Sequence, residues 1–187
     1  LVALRLTSIE PFNRAEQLAY WINLYNAFTV RLVLEFYPVN SIKDIEISSN
    51  PLGGIFSGPW NRKLLDVEGE PLSLNDIEHR ILRPIWGDPR IHYAVNCAAV
   101  GCPNLQPLAF TDANTETLLD HAAQNYVNCP RGARVEDGQL IVSKIYAWFV
   151  DDFGDSVLPF VAAHLPDEAA SFIRAQQDKL RIRYFDY

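Results

Sequence analysis

The stretch Asp88 to Leu105, DPRIHYAVNCAAVGCPNL, gathers Arg90, His92, Asn96, Cys97 and Cys102. No other stretch sets a histidine, two cysteines and an arginine so close together. A cysteine becomes a nucleophile when a nearby histidine or a positive dipole favours its thiolate. A third polar group then orients the histidine. Cys102 lies between Gly101 and Pro103, on a predicted turn that would display its sulfur. His92 is the natural base and His79 the rival, and Glu78 or Asn96 could orient either one. This set predicts a thiol-dependent hydrolase or acyl transferase acting on an amide, peptide or thioester bond, with Cys102 attacking and His92 shuttling the proton.

The same residues support other chemistry. Cys97 and Cys102 enclose four residues, and a disulfide across that span is geometrically accessible. It would staple the loop, leave Cys129 free and withdraw Cys102 from catalysis. The domain would then be a non-enzymatic module, with Trp60 and the other tryptophans framing a groove for a peptide or small ligand. His92, Cys97 and Cys102, each separated by four residues, offer three zinc ligands. A strand over these positions would turn His92 away from Cys97, so no metal and no cofactor is expected.

The elements that must position these groups follow from periodicity. Asn13 caps a predicted helix from Arg14 to about Phe36 that is apolar nearly all round, as a central, buried helix is. Asn23 and Asn26 fall on or beside its apolar face and either tie the helix to a loop backbone or line a pocket. The Gly-, Pro- and Ser-rich segment Ser48 to Lys63 reads as a long loop carrying Trp60. Lys63 to Val67 reads as a strand. Ser73 caps a helix through Arg83, with Leu74, Ile77, Ile81 and Ile85 inward. Glu78 lies inside that arc, so its carboxylate needs a partner, for which Arg90 is the candidate, and His79 is at the edge. Arg90 to Ala98 alternates as a strand, with His92 and Asn96 on one face and Cys97 on the other. A helix to about Asn128 follows, then a hairpin turning at Asp137-Gly138, three helices beginning near Lys144, Ser156 and Asp167, and a strand from Leu180 to Phe185. The carboxylates Asp151 and Asp152 read as solvated. This order predicts a mainly helical α+β domain over 1–187, with the central helix packed on a small antiparallel sheet.

The bulk properties narrow the partners. Formal net charge is −7, and the 16 Lys and Arg residues are scattered, so no electrostatic footprint for nucleic acid is present. No apolar run approaches the ~18 residues of a membrane span. Three cysteines are too few for a disulfide scaffold. A small-molecule or peptide ligand is the partner expected.

AYWINLYNAFTV (Ala19 to Val30), LSLNDIEHRILRPIW (Leu72 to Trp86), the Asp88 to Leu105 stretch and SKIYAWFVDDF (Ser143 to Phe153) together resemble the domain of unknown function 547 family. The resemblance implies one fold unit and a hint of thiol chemistry. Bacterial relatives are often preceded by a signal peptide, which implies a periplasmic or extracellular setting. Some eukaryotic relatives are joined to glutaredoxin-like or DEP modules. Members often end in Tyr-Asp-Trp-x-Leu-Asn, so the C-terminal segment is expected to continue past Phe185-Asp186-Tyr187. An Asn or Asp beside a Cys-His pair is similar to the arrangement of papain-like and transglutaminase-like enzymes. There the cysteine opens a central helix, whereas the predicted central helix here offers Asn23 and Asn26 and no cysteine.

Overall fold

The computed structural model describes residues 1–45, 58–154, 157–176 and 180–185. The predicted loop from Ser48 to Lys63 therefore lies, through residue 57, outside the described residues. A short helix α1 (Val2–Leu6) precedes the long helix α2 (Arg14–Glu35). Asn13 caps α2 by accepting from the Ala15 and Glu16 amides, and the Glu16 carboxylate accepts from the Asn13 amide in return. Ten of the residues of α2 are buried, from Leu18 to Leu32, on more than one face, as a helix surrounded by protein requires.

β1 (Leu65–Val67) and β2 (Glu70–Leu72) form a two-stranded antiparallel sheet and feed helix α3. Ser73 and Asp76 cap α3 reciprocally. The helix runs as an α-helical turn Leu74–Asp76, a π-helical turn Ile77–Leu82 and a further α-helical turn Arg83–Trp86. In the π turn the Arg83 amide donates to the Glu78 carbonyl, one residue further back than in an α-helix. Pro84 does not end the helix, and Gly87, in the left-handed region at φ 63°, does.

The predicted strand from Arg90 to Ala98 is instead a helical turn, α4 (Ile91–Ala94), followed by extended backbone at Val95. The reason is local. The Asp88 side chain accepts from the Arg90 amide, and the amides of Ile91, His92 and Tyr93 bond three residues back to Asp88, Pro89 and Arg90. Residues 91–95 are buried on every side, so alternation along them reports no solvent face. The separation of His92 and Cys97 onto opposite strand faces therefore does not hold.

Helix α5 (Thr115–Val127) leads to the hairpin of β3 (Ala133–Glu136) and β4 (Gln139–Ser143), which turns through Asp137 and Gly138, both at positive φ. Helices α6 (Ile145–Trp148), α7 (Val157–His164) and α8 (Asp167–Gln176) follow, with a 3-10 turn Val150–Phe153 after α6. The last strand, β5 (Ile182–Phe185), joins β4 in parallel, with Ser143 opposite Phe185. The architecture is α+β and mainly helical, as expected, but this second sheet is mixed rather than antiparallel. A strand arriving after α7 and α8 has crossed back over the sheet and can enter parallel. One buried cluster centres on α2 and α3, and a second is formed by α5, β4 and the C-terminal helices.

Candidate functional site

A cleft of about 340 Å³ opens between α2, α3, the loop after α4 and the start of α6. Its wall is mostly apolar and aromatic in area, with Tyr25, Trp60, Trp148, Phe149 and Phe185, and Lys43, Glu78, His79 and Lys144 are among the polar groups set into it. That is the composition of a small-ligand site.

The His92 side chain borders this cleft and is 1% exposed. Its Nε2 lies 2.6 Å from Asp152 Oδ2. The ring is stacked on Phe149, with centroids 4.3 Å apart, and on Phe153, at 5.6 Å. Nδ1 is enclosed and has no hydrogen-bond partner among the described residues. The Arg83 guanidinium also holds Asp152, with Nε donating to the same Oδ2 at 2.5 Å and Nη2 to Oδ1 at 3.0 Å. Arg83 also donates to His79 Nδ1 at 3.1 Å and lies over the Phe149 ring. The chain His79–Arg83–Asp152–His92 is thus one connected polar network. Burial pushes the His92 pKa below its usual 6.5, against the raising effects of Asp152 and Glu78. Asp152 is held below the usual 3.8 by the Arg83 and His92 hydrogen bonds, which outweigh its own burial.

Glu78 is buried, as its place in the arc of α3 implied, but its partner is not Arg90. The Tyr25 hydroxyl donates to Glu78 Oε2 at 2.9 Å. Tyr25 is held in its neutral, donating form by burial and by the neighbouring Glu78 carboxyl, which push its pKa well above 10.0. His79 is 4.0 Å from Glu78 Oε1. Arg90 turns the other way and pairs with Asp88, Glu116 and Asp120.

Cys97 and Cys102 are disulfide-bonded, and both line the cleft. Cys129 is a free thiol away from it, beside Arg131 in a smaller cavity of about 220 Å³. The loop that carries the disulfide is held by amide side chains. Asn26 receives the Asn96 amide and donates to the Ala94 carbonyl. Asn96 donates to the Pro103 carbonyl and accepts from the Ala98 amide. Asn23 clamps the Phe110 backbone in the same two-way manner.

The structure therefore brings His92, Glu78, His79, Cys97, Cys102 and Trp60 to one cleft. Asn23, Asn26, Asn96 and Arg90, which are the other residues expected to contact a substrate, make backbone and salt-bridge contacts beside the cleft. Sequence reasoning missed Asp152 and Arg83. The pair Asp151-Asp152 read as solvated, yet only Asp151 is exposed. Asp152 follows Phe149 by three residues, which sets the two on one side of a helical turn, and that spacing was the available signal.

Among the described residues no group of three His, Cys, Asp or Glu side chains is placed to hold a metal ion, and no helix is long and apolar enough to cross a membrane. Comparison with curated proteins and with solved structures gave no match. The family model described as "Protein of unknown function, DUF547" matches residues 9–127, more than half of the chain. That span holds Glu78, His79, Arg83, His92 and both disulfide cysteines, while Asp152 and Phe149 lie beyond it. The chain belongs to the DUF547 family.

Proposed function

We propose that the cleft is an active site for acyl chemistry, hydrolysis or transfer at an amide, peptide or thioester carbonyl, with His92 as general base and Cys102, once reduced, as nucleophile. The observation that carries this reading is the His92 imidazole, which borders the cleft, is bonded at Nε2 to Asp152 and has no partner at its enclosed Nδ1 among the described residues. With Asp152 accepting from Nε2–H, the tautomer is set and the lone pair lies on Nδ1. The depressed pKa keeps the ring neutral, and so basic, at neutral pH. Arg83 holds the Asp152 carboxylate ionised and oriented.

In the reduced protein Nδ1 takes the Cys102 thiol proton as sulfur adds to the carbonyl carbon. The imidazolium returns that proton to the leaving group. Water or an acceptor then releases the acyl group from sulfur. Glu78 and His79, on the same wall, orient the substrate.

The test is the alkylation rate of Cys102 in reduced native protein, followed by mass mapping with iodoacetamide across about pH 5 to 9. Cys102 is expected to react at lower pH than Cys129, with Asp152→Asn and His92→Gln moving its profile upward. A Cys102 that follows Cys129 in all three proteins removes the nucleophile. A second reading, a non-enzymatic module binding a small molecule or peptide, is favoured by the Cys97–Cys102 bond itself and by the aromatic lining. It predicts ligand binding by the oxidised protein that reduction leaves unchanged.

A further inference from the structure

The loop closed by Cys97 and Cys102 does not depend on the disulfide for its shape. The Cys102 amide bonds the Ala99 carbonyl at 3.0 Å, and Asn96 bridges the Ala98 amide and the Pro103 carbonyl. Arg131 binds the carbonyls of Val100 and Cys102, each at 2.9 Å, and the Asn104 side chain at 2.8 Å. The cysteines are five positions apart, and closing so short a loop removes little freedom from the unfolded chain. As a staple the bond is therefore redundant. It is nonetheless displayed, since both cysteines are half-buried on the cleft wall and Ala98, Ala99 and Val100 between them are exposed.

The two sulfurs are not equivalent. The Cys97 amide donates to Cys102 Sγ at 3.3 Å, so a donor is already in place for negative charge on that sulfur. The Arg131 guanidinium adds positive charge to the backbone around it. His79, Lys43 and Lys144 also line the cleft, with Glu78 as the opposing carboxyl. A sulfur with a prepared donor is the better leaving group in thiol–disulfide exchange.

We propose that Cys97–Cys102 is a reactive disulfide that exchanges with a small thiol entering the cleft. The incoming thiolate attacks Cys97 Sγ, a bond forms between the two sulfurs, and the Cys97–Cys102 bond breaks with its electron pair passing to Cys102. A second thiolate attacks the external sulfur of the mixed disulfide and releases Cys97 as thiolate. The protons lost by the two thiols end on Cys97 and Cys102. In sum two thiols are oxidised to one disulfide and the protein disulfide is reduced to a dithiol. This activity goes beyond acyl chemistry and does not require it. Where the acyl reading holds, exchange is also the step that frees Cys102.

Reduced glutathione at about 5 mM, near a cellular thiol level, is the probe. The folded protein and a synthetic peptide spanning Asn96 to Pro103, oxidised to its disulfide, are each sampled over time, quenched by alkylation and weighed intact. The folded protein is expected to be reduced at least ~5-fold faster than the peptide. In Cys102→Ala protein treated with oxidised glutathione, Cys97 is expected to carry the adduct. The Cys97→Ala/Cys102→Ala double variant should unfold within about 3 °C of the parent, as a redundant staple requires. A disulfide that resists glutathione in the folded protein, or opens no faster than in the peptide, overturns the proposal. So does a large loss of melting temperature in the double variant. Because mass reports exchange directly with no acyl substrate present, these outcomes are separate from failure of the His92 reading.

Discussion

At the scale of single residues, the pairing of His92 with Asp152 is the most consequential contact. A buried imidazole is ordinarily satisfied at both nitrogens, and this one, among the described residues, is satisfied at one. Replacing Asp152 by Asn keeps the shape but exchanges an ionic acceptor for a neutral amide and leaves Arg83 without its carboxylate. We expect a loss of about 2–4 kcal/mol of stability in chemical denaturation, from an uncompensated, half-buried guanidinium. We also expect the imidazole carbon resonances of His92 in NMR to show a changed tautomer. Tyr25→Phe removes the donor to Glu78 without altering the packing of the ring. It should cost about 1–2 kcal/mol in urea unfolding, and a change near zero would show that Glu78 is satisfied without it.

At the scale of elements, the site depends on α2 and α3 being fastened to irregular chain. Asn26 binds backbone on both sides of Val95 and so fixes the direction in which the chain leaves α4 towards Cys97. Asn26→Ala strands the Ala94 carbonyl and the Asn96 amide, and about 2–3 kcal/mol should be lost, with faster hydrogen exchange at Asn96. Gly132 carries a similar constraint between α5 and the hairpin. A Cβ there would overlap the Tyr126 carbonyl, and the Gly132 carbonyl accepts from the Ser143 amide at 2.9 Å. Gly132→Ala should therefore cost more than ~3 kcal/mol or prevent folding, read from the thermal midpoint. Helix α2, its Asn13 cap, the Ser73 cap and the Asp137-Gly138 turn were legible because each is set by neighbours in sequence. The π turn was not, since no residue type marks it. It shows only in the backbone bond from the Arg83 amide to the Glu78 carbonyl.

At the scale of the whole molecule, stability should respond to acid in two stages. The His92 pKa is depressed on folding, so the unfolded chain binds that proton more readily. Its contribution is complete above 6.5, the ordinary value, and is lost as pH falls from there towards the folded pKa. Asp152 and Asp76 are also depressed, so theirs is complete above 3.8 and is lost as pH falls further. Urea midpoints measured from about pH 8 to 5 should fall for the parent and stay nearly flat for His92→Gln. A parent whose midpoint is flat over that range would contradict the buried, neutral imidazole.

The sequence by itself determined the gathering of histidine, cysteine and arginine between Asp88 and Leu105, the family and the α+β class. Those rest on side-chain chemistry, local capping and hydrophobic periodicity, all of which act over a few positions. It also left Cys102 either a nucleophile beside His92 or one half of a disulfide with Cys97, without deciding between the two. Tertiary structure decided that the cysteines are joined, that residues 91–94 form a helical turn and that β5 enters the sheet in parallel. It also decided that His92 turns to Asp152, sixty positions away. The physical reason is the same in each case. A segment buried on all sides carries no amphipathic signature, and a hydrogen bond between distant residues exists only once packing has excluded water from both.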